Sequence, residues 1–366
     1  MKVLFACGGT AGHINPAIAI ADLLRKKAPH LSVLFVGTPV GMENRLVPGA
    51  GYPIRHIPVK GLRRSLSPAN LRASASLIRS FRIAGRILDE EKPDLVVGTG
   101  GYVCYPTLRE AAKRGIPTVL HESNARAGIA ARLLARRIDL ALINFPSAAL
   151  DFKKSKKTVV SGNPLRRAFY DLNRETARKR LGIGRDALLL LVFGGSLGAR
   201  NLNEAFEGAV PRLLSSFPSL RILHAVGRNP SGEEPVSYGR YERKPYIDDM
   251  PLRLTAADAV VCRAGAMTIS EIAAAGVPSI LVPFPHAAGD HQTKNALALA
   301  NQNATILIPD GALTADLLFE KLSAYLSDPE ERKRKGEAVR RFHVGNSEAV
   351  ILREILDLCP NLVERS

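Results

Sequence analysis

The chain has 366 residues, a length that predicts two domains, each large enough to bury its own core. Its apolar content of 46% is typical of globular proteins, and no apolar run is long enough to predict a transmembrane helix. The formal net charge of +17 indicates an anionic partner such as nucleic acid, anionic lipid or a phosphorylated substrate. Aromatic residues make up only 5% and are not interleaved with basic ones, which argues against nucleic acid.

The cysteine and acid patterns exclude several kinds of site. The four cysteines lie far apart and form no CxxC pair, which is typical of reduced thiols in a cytosolic protein. No Asp-x-Asp occurs, and no cluster of His, Cys and carboxylate residues has the spacing of metal ligands. We therefore predict neither a metal nor a cofactor. The charge of a bound diphosphate would then be met by helix ends, backbone N–H groups and arginines.

The amino-terminal segment predicts the opening of a doubly wound α/β domain. Residues 2–7 form a buried strand, and a glycine turn runs from Gly8 to His13. Pro16 then lies at an early position of the following helix, where proline is tolerated, and residues 31–37 form the next strand. Strand, glycine turn, helix and strand in this order are typical of a Rossmann-like fold.

A basic segment follows at residues 60–86. It contains no acid and has apolar residues interspersed, so residues 68–88 predict a basic amphipathic helix. Two interpretations stay open: a solvated surface helix, or contact with an anionic membrane, where each nearby Lys or Arg contributes roughly 1 kcal/mol. The basic residues are Lys60, Arg63, Arg64, Arg72, Arg79, Arg82 and Arg86.

A second glycine turn follows the strand predicted at residues 94–97. Gly98-Thr99-Gly100 resembles a dinucleotide-binding fingerprint with an acid about twenty residues further on. Val103 stands at the third glycine position, which makes this a weak signal for a nicotinamide-dependent dehydrogenase. Residues 126–137 predict another basic helix.

The opening pattern returns in the second half of the chain. Residues 161–166 are rich in Gly and Pro and predict the domain junction. Residues 188–193 then predict a buried strand, followed by a glycine turn from Gly194 to Ala199 and a helix from Asn203. We therefore predict two related α/β domains, at residues 1–162 and 163–344.

Residues 260–295 predict a βαβ unit with a possible anion site. Arg263, Gly265 and Ala266 form the turn after the first strand, and Thr268 followed by Glu271 has the spacing of a capping box. The helix is predicted at residues 269–275. A helix start beside a glycine turn offers N–H groups to a diphosphate, although an ordinary capped βαβ unit would have the same pattern.

Eight motifs in consecutive order make the chain resemble the MurG family of bacterial N-acetylglucosaminyltransferases. They are GGTAGHINPAIAIA, GTGGYV, HESNARAG, GNPLR, GGSLGARNLN, YIDDM, CRAGAMTISEIAAAG and PHAAGDHQTKNA, and the resemblance covers the chain from Val3 to Asn295. The resemblance implies the GT-B architecture, with two Rossmann-like domains facing across a cleft. It also implies that a last helix, at about residues 345–366, packs back on the first domain.

The resemblance implies a reaction and a location. The 4-hydroxyl of the muramyl sugar of lipid I would attack the anomeric carbon of UDP-GlcNAc with inversion, releasing UDP and giving lipid II for peptidoglycan. Because lipid I (undecaprenyl-pyrophosphoryl-MurNAc-pentapeptide) is a membrane lipid, the enzyme is expected as a peripheral protein at the cytoplasmic face of the cell membrane. Its expected partners are therefore UDP-GlcNAc, lipid I and an anionic membrane surface.

Carried over by motif, most of the donor site comes from the second domain. The resemblance implies that Glu271 binds the ribose hydroxyls, that the backbone of Ile247 contacts uracil, and that Gln292 binds the GlcNAc hydroxyls. The other expected donor-site residues are Thr10, Ala11, Gly12, Asn124, Arg166, Ser196, Asn203, Arg263, Gly265, Ala266 and His291.

The acceptor site is expected in the first domain. His13 is the predicted general base, because an imidazole on a glycine turn facing the cleft can titrate near neutrality. Glu122, directly or through a relay, is the alternative base. The remaining acceptor-binding residues implied by the resemblance are Gly100, Gly101, Tyr102 and His121.

Three other functions compete with this hypothesis. A different GT-B enzyme acting on a UDP-sugar, such as a glycolipid glycosyltransferase or a sugar epimerase, would share the fold. The motifs HESNARAG and GGSLGARNLN argue against that alternative. A dehydrogenase has only the partial fingerprint in its favour, and a non-catalytic basic binding module has only the charge.

Overall fold

The computed structural model describes residues 1–59, 68–195, 198–228 and 237–363, and of residues 68–76 it describes the backbone alone. The chain divides into two compact units. Unit 1 comprises Met1–Pro164 and Asn346–Ser366, and unit 2 comprises Leu165–Gly345. The division falls within the Gly- and Pro-rich segment predicted as the junction. Among the basic residues of the segment 60–86, Lys60, Arg63 and Arg64 lie outside the described residues.

Unit 1 is built on a parallel sheet of seven strands. These are β1 (Lys2–Cys7), β2 (Ser32–Gly37), β3 (Ile54–His56), β4 (Leu95–Gly100), β5 (Thr118–Glu122), β6 (Leu140–Ile143) and β7 (Lys157–Val160). Their order across the sheet is β3-β2-β1-β4-β5-β6-β7. Alternate side chains of β1 enter the two cores, with Val3 and Phe5 on one face and Leu4 and Ala6 on the other. Helices cover both faces, which explains why the strands are nearly continuous apolar runs.

The helices of unit 1 form two layers. They are α1 (Ala11–Lys27), α2 (Glu43–Gly49), α3 (Pro68–Glu91), α4 (Cys104–Lys113) and α5 (Ile129–Leu134). Helices α3, α4 and α5 supply residues to one core, and α1 to the other. Short 3-10 helices at Ala135–Arg137 and Pro146–Asp151 complete the first layer.

Unit 2 repeats this architecture with six parallel strands. These are β8 (Leu188–Phe193), β9 (Leu220–Ala225), β10 (Tyr241–Lys244), β11 (Ala259–Cys262), β12 (Ser279–Leu281) and β13 (Ile306–Leu307). Their order is β10-β9-β8-β11-β12-β13, the Rossmann order. The helices are α6 (Ala168–Asp171), α7 (Arg174–Arg180), α8 (Arg200–Ser216), α9 (Met250–Ala256), α10 (Ala266–Ala275), α11 (His291–Ala300), α12 (Ala315–Ser327) and α13 (Pro329–Arg340), with 3-10 helices at Ala288–Asp290 and Asp310–Ala312. The two parallel sheets confirm the predicted pair of doubly wound domains.

The chain then returns to unit 1. Helix α14 (Ser347–Leu358) and a 3-10 helix at Pro360–Leu362 lie against the same core as α1. Ile351, Ile355 and Leu362 are fully buried there. The final segment is therefore a structural part of unit 1, although unit 2 separates it from the rest of that unit in the sequence.

Two helices begin at other residues than the sequence predicted. The capping box at Thr268 and Glu271 is wrong, because α10 already begins at Ala266 with Gly265 as its N-cap. Thr268 lies inside the first turn of α10, so Glu271 has no role in capping this helix. Helix α5 begins at Ile129 rather than at residue 126, because the preceding loop is held in place by side chains: Asp151 accepts from Arg126 and from the Ala127 N–H.

Candidate active site

The topology of each unit locates a candidate site before any side chain is considered. In an open parallel sheet, ligands bind beyond the carboxyl ends of the strands where the strand order reverses. In unit 1 that point lies between β1 and β4, and in unit 2 between β8 and β11. The turns that follow these four strands are the glycine-rich segments that begin at Gly8, Gly100, Gly194 and Arg263.

In unit 1 the two glycine turns are in contact. A Cβ added to Gly100 would lie 2.4 Å from Cδ2 of His13, and one added to Gly101 would lie 2.4 Å from the carbonyl oxygen of Gly8. Thr99 also donates a hydrogen bond of 2.6 Å to the carbonyl of His13. The structure therefore brings the predicted base together with two predicted acceptor-binding residues, and both close approaches require glycine.

The start of α1 lies at the same place. Thr10 is the N-cap residue in an extended conformation, and its carbonyl accepts from the N–H groups of His13 and Ile14. Ala11 and Gly12 form the first turn, where the N–H groups of a helix have no intrahelical acceptor. Such N–H groups are suited to an anionic or hydroxylated ligand.

The His13 side chain has a defined tautomer. Its Nδ1 lies 3.2 Å from the carbonyl oxygen of Gly8, which can only accept, so Nδ1 carries the proton and Nε2 has the free lone pair. Burial lowers the pKa of His13, while the bond to Gly8 opposes that shift. The imidazole is therefore neutral near pH 7 and can accept a proton at Nε2.

Glu43 supports the first glycine turn and was not predicted from the sequence. Its side chain is fully buried, and its carboxylate accepts from the Gly9 N–H at 3.1 Å and from the N–H and hydroxyl of Thr38 at 2.9 and 2.6 Å. Burial tends to raise the pKa of Glu43, but these hydrogen bonds outweigh it and the pKa is lowered. A sequence signal exists: Gly37 and Gly41 both closely precede this acid, and a Cβ at either would collide with it.

The carboxyl end of β5 holds three more predicted residues in mainly structural roles. His121 is 1% exposed and its Nε2 donates to the carbonyl of Gly162 at 3.0 Å, so it offers no surface to an acceptor. Burial lowers the pKa of His121 to about 4. Glu122 accepts from the backbone and side-chain N–H groups of Asn124, both at 2.9 Å. These bonds shape the loop after β5, which makes Glu122 the weaker candidate for a base. Tyr102, in contrast, is 57% exposed.

In unit 2, Arg166 from the domain junction lies close to Glu271, the residue predicted to bind the ribose. Arg166 lies 3.8 Å from the carboxylate of Glu271 and donates to the carbonyl of Asp248 at 3.4 Å. Asp248 directly follows Ile247, the predicted uracil contact. Three predicted donor-site residues are therefore neighbours, although they come from segments about 24 to 105 residues apart in the sequence.

The carboxyl group of Glu271 has a pKa unlike that of an exposed acid. Burial raises its pKa to about 7, and the positive charge of Arg166 only partly opposes that shift. A carboxyl group held in this way changes ionisation near physiological pH, as groups in binding sites often do. With the capping box excluded, the α10 geometry leaves Glu271 available to a ligand.

Arg263 has a different environment from the one expected for a residue that contacts substrate. Arg263 is 9% exposed, and its guanidinium donates to the carbonyls of Val282 and Pro283 at 3.2 Å and pairs with Asp310. Asp310 also accepts from Asn201 in the first turn of α8. In this structure Arg263 joins the loops around the site rather than presenting its charge to a ligand. Asp310 is a second supporting residue that the sequence did not reveal.

The loop between β12 and α11 positions the two residues expected at the sugar. Gln292 accepts from the Phe284 N–H at 2.9 Å, which leaves the amide N–H groups of Gln292 for other partners. His291 Nδ1 donates to the carbonyl of Ala288 at 2.7 Å. Gly289 and Asp290 both have positive φ, so the loop turns sharply just before α11.

The remaining predicted residues lie at the glycine corners of unit 2. Asn203 is in the first turn of α8 and donates to the carbonyl of Val226 at 2.8 Å. Gly265 and Ala266 form the start of α10. Ser196 lies outside the described residues. Within the described ranges, no group of three or more His, Cys, Asp or Glu side chains could hold a metal ion.

Comparisons with known proteins agree with this division of the chain. Residues 3–143 match the glycosyltransferase family 28 N-terminal domain, and residues 189–349 match the glycosyltransferase family 28 C-terminal domain. Together the two matches cover most of both units. They include the glycine turns at Gly8, Gly100, Gly194 and Arg263.

Full-length relatives are similar over nearly the whole chain. The UDP-N-acetylglucosamine--N-acetylmuramyl-(pentapeptide) pyrophosphoryl-undecaprenol N-acetylglucosamine transferase of Acetivibrio thermocellus is 40% identical over 366 residues, covering 99% of each chain. The protein of the same name from Desulforudis audaxviator is 40% identical over 372 residues, covering 99% of this chain and 98% of its own.

Solved structures give the same result. MurG of Acinetobacter baumannii matches with a TM-score of 0.79 at 30% identity, covering 97% of this chain and 99% of that structure. A UDP-bound MnaA of S. aureus matches with a TM-score of 0.66 at 15% identity, over 100% and 99%, and shows the shared fold alone. The predicted GT-B fold class is thereby confirmed, and the chain belongs to the MurG family of glycosyltransferases.

Proposed function

We infer that this chain transfers GlcNAc from UDP-GlcNAc to lipid I and so forms lipid II for peptidoglycan. The observation that carries this function is the 40% identity, over 99% of both chains, to a relative named for that transfer. The geometry of the two units agrees with it. Each unit has a glycine corner at its topological switch point, as a reaction between two diphosphate-bearing substrates requires.

We propose that unit 2 binds the nucleotide of the donor. Glu271 accepts hydrogen bonds from the ribose hydroxyls, and Arg166, held beside it and beside the Ile247 loop, contributes positive charge. The starts of α8 and α10 direct backbone N–H groups and the positive end of the helix dipole toward the diphosphate. Gln292 and His291 bind the sugar hydroxyls through groups that the loop leaves unused.

We propose that unit 1 binds the acceptor and supplies the base. Nε2 of His13 removes the proton from the 4-hydroxyl of the muramyl sugar as its oxygen attacks the anomeric carbon. The bond from that carbon to the UDP oxygen breaks on the opposite face, so configuration inverts and UDP takes the negative charge. Gly100 lies beside His13, and Gly100, Gly101 and Tyr102 hold the acceptor, while Thr10, Ala11, Gly12 and Asn124 hold the donor sugar.

The departing UDP needs stabilisation that increases as the bond breaks. Preorganised donors are effective in this task because they do not have to reorient during the reaction. We assign it to the first turns of α8 and α10 and to Arg166. In this proposal Arg263 acts indirectly, since its bonds to Val282 and Pro283 fix the loop that carries Gln292.

We further propose that unit 1 works at the cytoplasmic face of the cell membrane as a peripheral protein. No described helix combines the length and apolar character needed to cross a membrane. The layer formed by α3, α4 and α5 carries exposed apolar side chains instead, although all three helices contribute to one core. The side chains that are more than half exposed are Ile78 on α3, Ile129 and Leu133 on α5, Leu150 on the adjoining 3-10 helix, and Tyr102 in the turn before α4.

Uncompensated positive charge lies in the same layer. A groove of about 730 Å³ runs between α3 and α4, with Phe81 in its wall and Arg109 stacked 4.4 Å from the Phe81 ring centroid. Three acids line the groove, and each is paired: Asp89 with Arg114, Glu90 with Arg55, and Glu110 with Lys113 and Arg114. Within the described part of the chain, no acid pairs with Arg82, Arg86 or Arg109. Ile78, Arg82 and Arg86 line this groove together, and apolar and basic side chains in combination are what an anionic lipid surface attracts.

An assay of UDP release tests the proposed function. We expect release from UDP-GlcNAc to depend on a short-chain lipid I analogue and to yield the disaccharide lipid. The variant His13→Gln should bind UDP-GlcNAc normally but turn over at least about 100-fold more slowly, the usual contribution of a general base. Release that does not need the acceptor would exclude the transfer. Near-normal turnover in His13→Gln would instead move the base to another residue.

A further inference from the structure

A buried histidine lies behind the diphosphate corner of unit 2. His224, on β9, is completely buried between Phe206 and Tyr241. Its Nδ1 lies 2.9 Å from the Tyr241 hydroxyl and its Nε2 lies 3.1 Å from Oδ1 of Asn203. Neither His224 nor Tyr241 belongs to the motifs that identify the family, and the proposed mechanism gives neither of them a role.

Hydrogen-bond chemistry fixes the direction of every bond in this network. The carbonyl of Val226 can only accept, so it must face Nδ2 of Asn203, at 2.8 Å. The Asn203 oxygen then faces Nε2 of His224, which must carry the proton. Nδ1 is therefore a lone pair, and the Tyr241 hydroxyl donates to it. Burial also lowers the pKa of His224 to about 3, which keeps the imidazole neutral.

The network determines what Asn203 offers to a ligand. One N–H of its amide is used by Val226, and its oxygen is used by His224, so the second N–H is the group left over. The Val226 carbonyl also approaches the glycine turn, since a Cβ at Gly198 would lie 2.2 Å from it. Asn203 is half-buried at this corner. An N–H donor attracts a diphosphate, whereas an amide oxygen in the same place would repel it.

We propose that His224 and Tyr241 are positioning residues that hold the amide of Asn203 with an N–H group, not its oxygen, available to the diphosphate of the nucleotide sugar. This role rests on the proposed function, in which Asn203 belongs to the donor site. It explains why a polar chain of Tyr, His and Asn is kept inside an otherwise apolar core.

The variant Tyr241→Phe tests this role, since it removes one hydroxyl and keeps the ring. Without that donor, the proton of His224 can move to Nδ1, and the Asn203 oxygen then loses the N–H of Nε2 that helps to hold the amide in place. We expect the affinity for UDP to fall roughly tenfold, about the effect of one hydrogen bond to a charged group, while uridine binds as before. Tyr238→Phe is the matched control, because Tyr238 packs edge-on against Tyr241 but is 52% exposed.

A double-mutant cycle separates positioning from general destabilisation. In an Asn203→Ala background, Tyr241→Phe should cause no further loss of UDP affinity, because the oriented group is gone. Additive losses, or equal losses for UDP and uridine, would overturn the proposal. Unchanged UDP binding in Tyr241→Phe would overturn it as well, while the proposed function would stand. Failure of the unaltered protein to bind UDP would instead refute the proposed function and the role that rests on it.

Discussion

Glu271 is the single acid among the expected donor-site residues, and its ionisation is the clearest residue-scale feature of the site. Burial places its pKa at about 7. When ionised, the carboxylate can accept hydrogen bonds from two ribose hydroxyls, whereas the protonated group presents a donor in place of one acceptor. The diphosphate diester of UDP-GlcNAc does not titrate in this range. Donor binding should therefore respond to this one carboxyl group.

We predict that the affinity for UDP-GlcNAc increases as the pH rises through about 7 and that Glu271→Gln removes this dependence. Because glutamine resembles the protonated acid, the variant should bind with the weaker, low-pH affinity at every pH. Titration calorimetry at several pH values would measure both. Glu320→Gln, at an exposed position on α12, serves as the control. A pH dependence that survives in Glu271→Gln would assign the titration to another group.

The same shift has a consequence for stability. The pKa of Glu271 in the folded protein lies above its ordinary value of 4.5, so the group favours folding below pH 4.5. That contribution is lost as the pH rises through about 7, where the folded state must hold a buried negative charge. Glu43 has the opposite sign: its pKa is lowered, so its contribution is present above its ordinary pKa and is lost as the pH falls.

The sequence motifs pointed to residues expected to contact ligands more readily than to residues that support them. Glu271, His13 and Gln292 came from motifs, and the structure leaves each of them a free polar atom or an accessible position. Glu43 and His224 were missed because their importance lies in what they contact: a glycine turn in one case and an asparagine in the other. Such contacts depend on tertiary packing, which periodicity does not encode.

At the scale of elements, the glycine turns that begin at Gly8 and Gly100 in unit 1 pack directly against each other. We predict that Gly101→Ala destabilises the protein more than Gly115→Ala. Both residues have positive φ, which costs an L-residue about 1–2 kcal/mol. A Cβ at Gly101, however, would also lie 2.4 Å from the Gly8 oxygen, whereas one at Gly115 would meet nothing within 4 Å.

Urea unfolding would measure the free energy of unfolding of both variants. Because both carry the cost of a positive φ, the difference between them reports the contact between the two turns. Gly101→Ala should also reduce turnover, because the displaced Gly8 segment carries the acceptor for His13 Nδ1. Equal free energies of unfolding would mean that the turns can move apart at no cost.

Helix α3 provides the element-scale test of membrane binding. We predict that Arg79→Glu combined with Arg82→Glu weakens binding to anionic vesicles at least tenfold, since each basic residue near the surface contributes about 1 kcal/mol. The binding should also weaken as salt is added. Lys179→Glu with Arg180→Glu on α7 makes the same change in net charge on exposed residues of unit 2. Equal losses in the two double variants would show that total charge, not this helix, is responsible.

Element boundaries show where local sequence rules stop being sufficient. The strands and glycine turns were predictable because apolar runs that end in glycine have few alternatives in a parallel sheet. The start of α10 was not, because Thr268 is a good N-cap by type, yet Gly265 already has the extended conformation that an N-cap needs. Which of two candidate caps is used depends on where β11 ends.

On the scale of the whole molecule, the last helix belongs to the first unit. We predict that Ile355→Ala lowers the free energy of unfolding by about 2–5 kcal/mol, the cost of a large cavity in a packed core. Ile355 is completely buried against the α1 layer. Asp357→Ala, at an exposed position of the same helix, is the control. Thermal unfolding of both variants would measure the effect, and a loss below 1 kcal/mol would mean that the core closes without this helix.

The order of synthesis gives that last helix a further consequence. The chain leaves unit 1 after Pro164 and returns only at Asn346, so the ribosome completes unit 2 before the α14 segment is made. Domains usually fold in order from the amino terminus during translation. Here part of the apolar core of unit 1 stays exposed until α14 has been synthesised. Folding of unit 2 brings the two parts of unit 1 closer together and so shortens the loop that α14 must close. Unit 1 should therefore complete its apolar core only after unit 2 has been made.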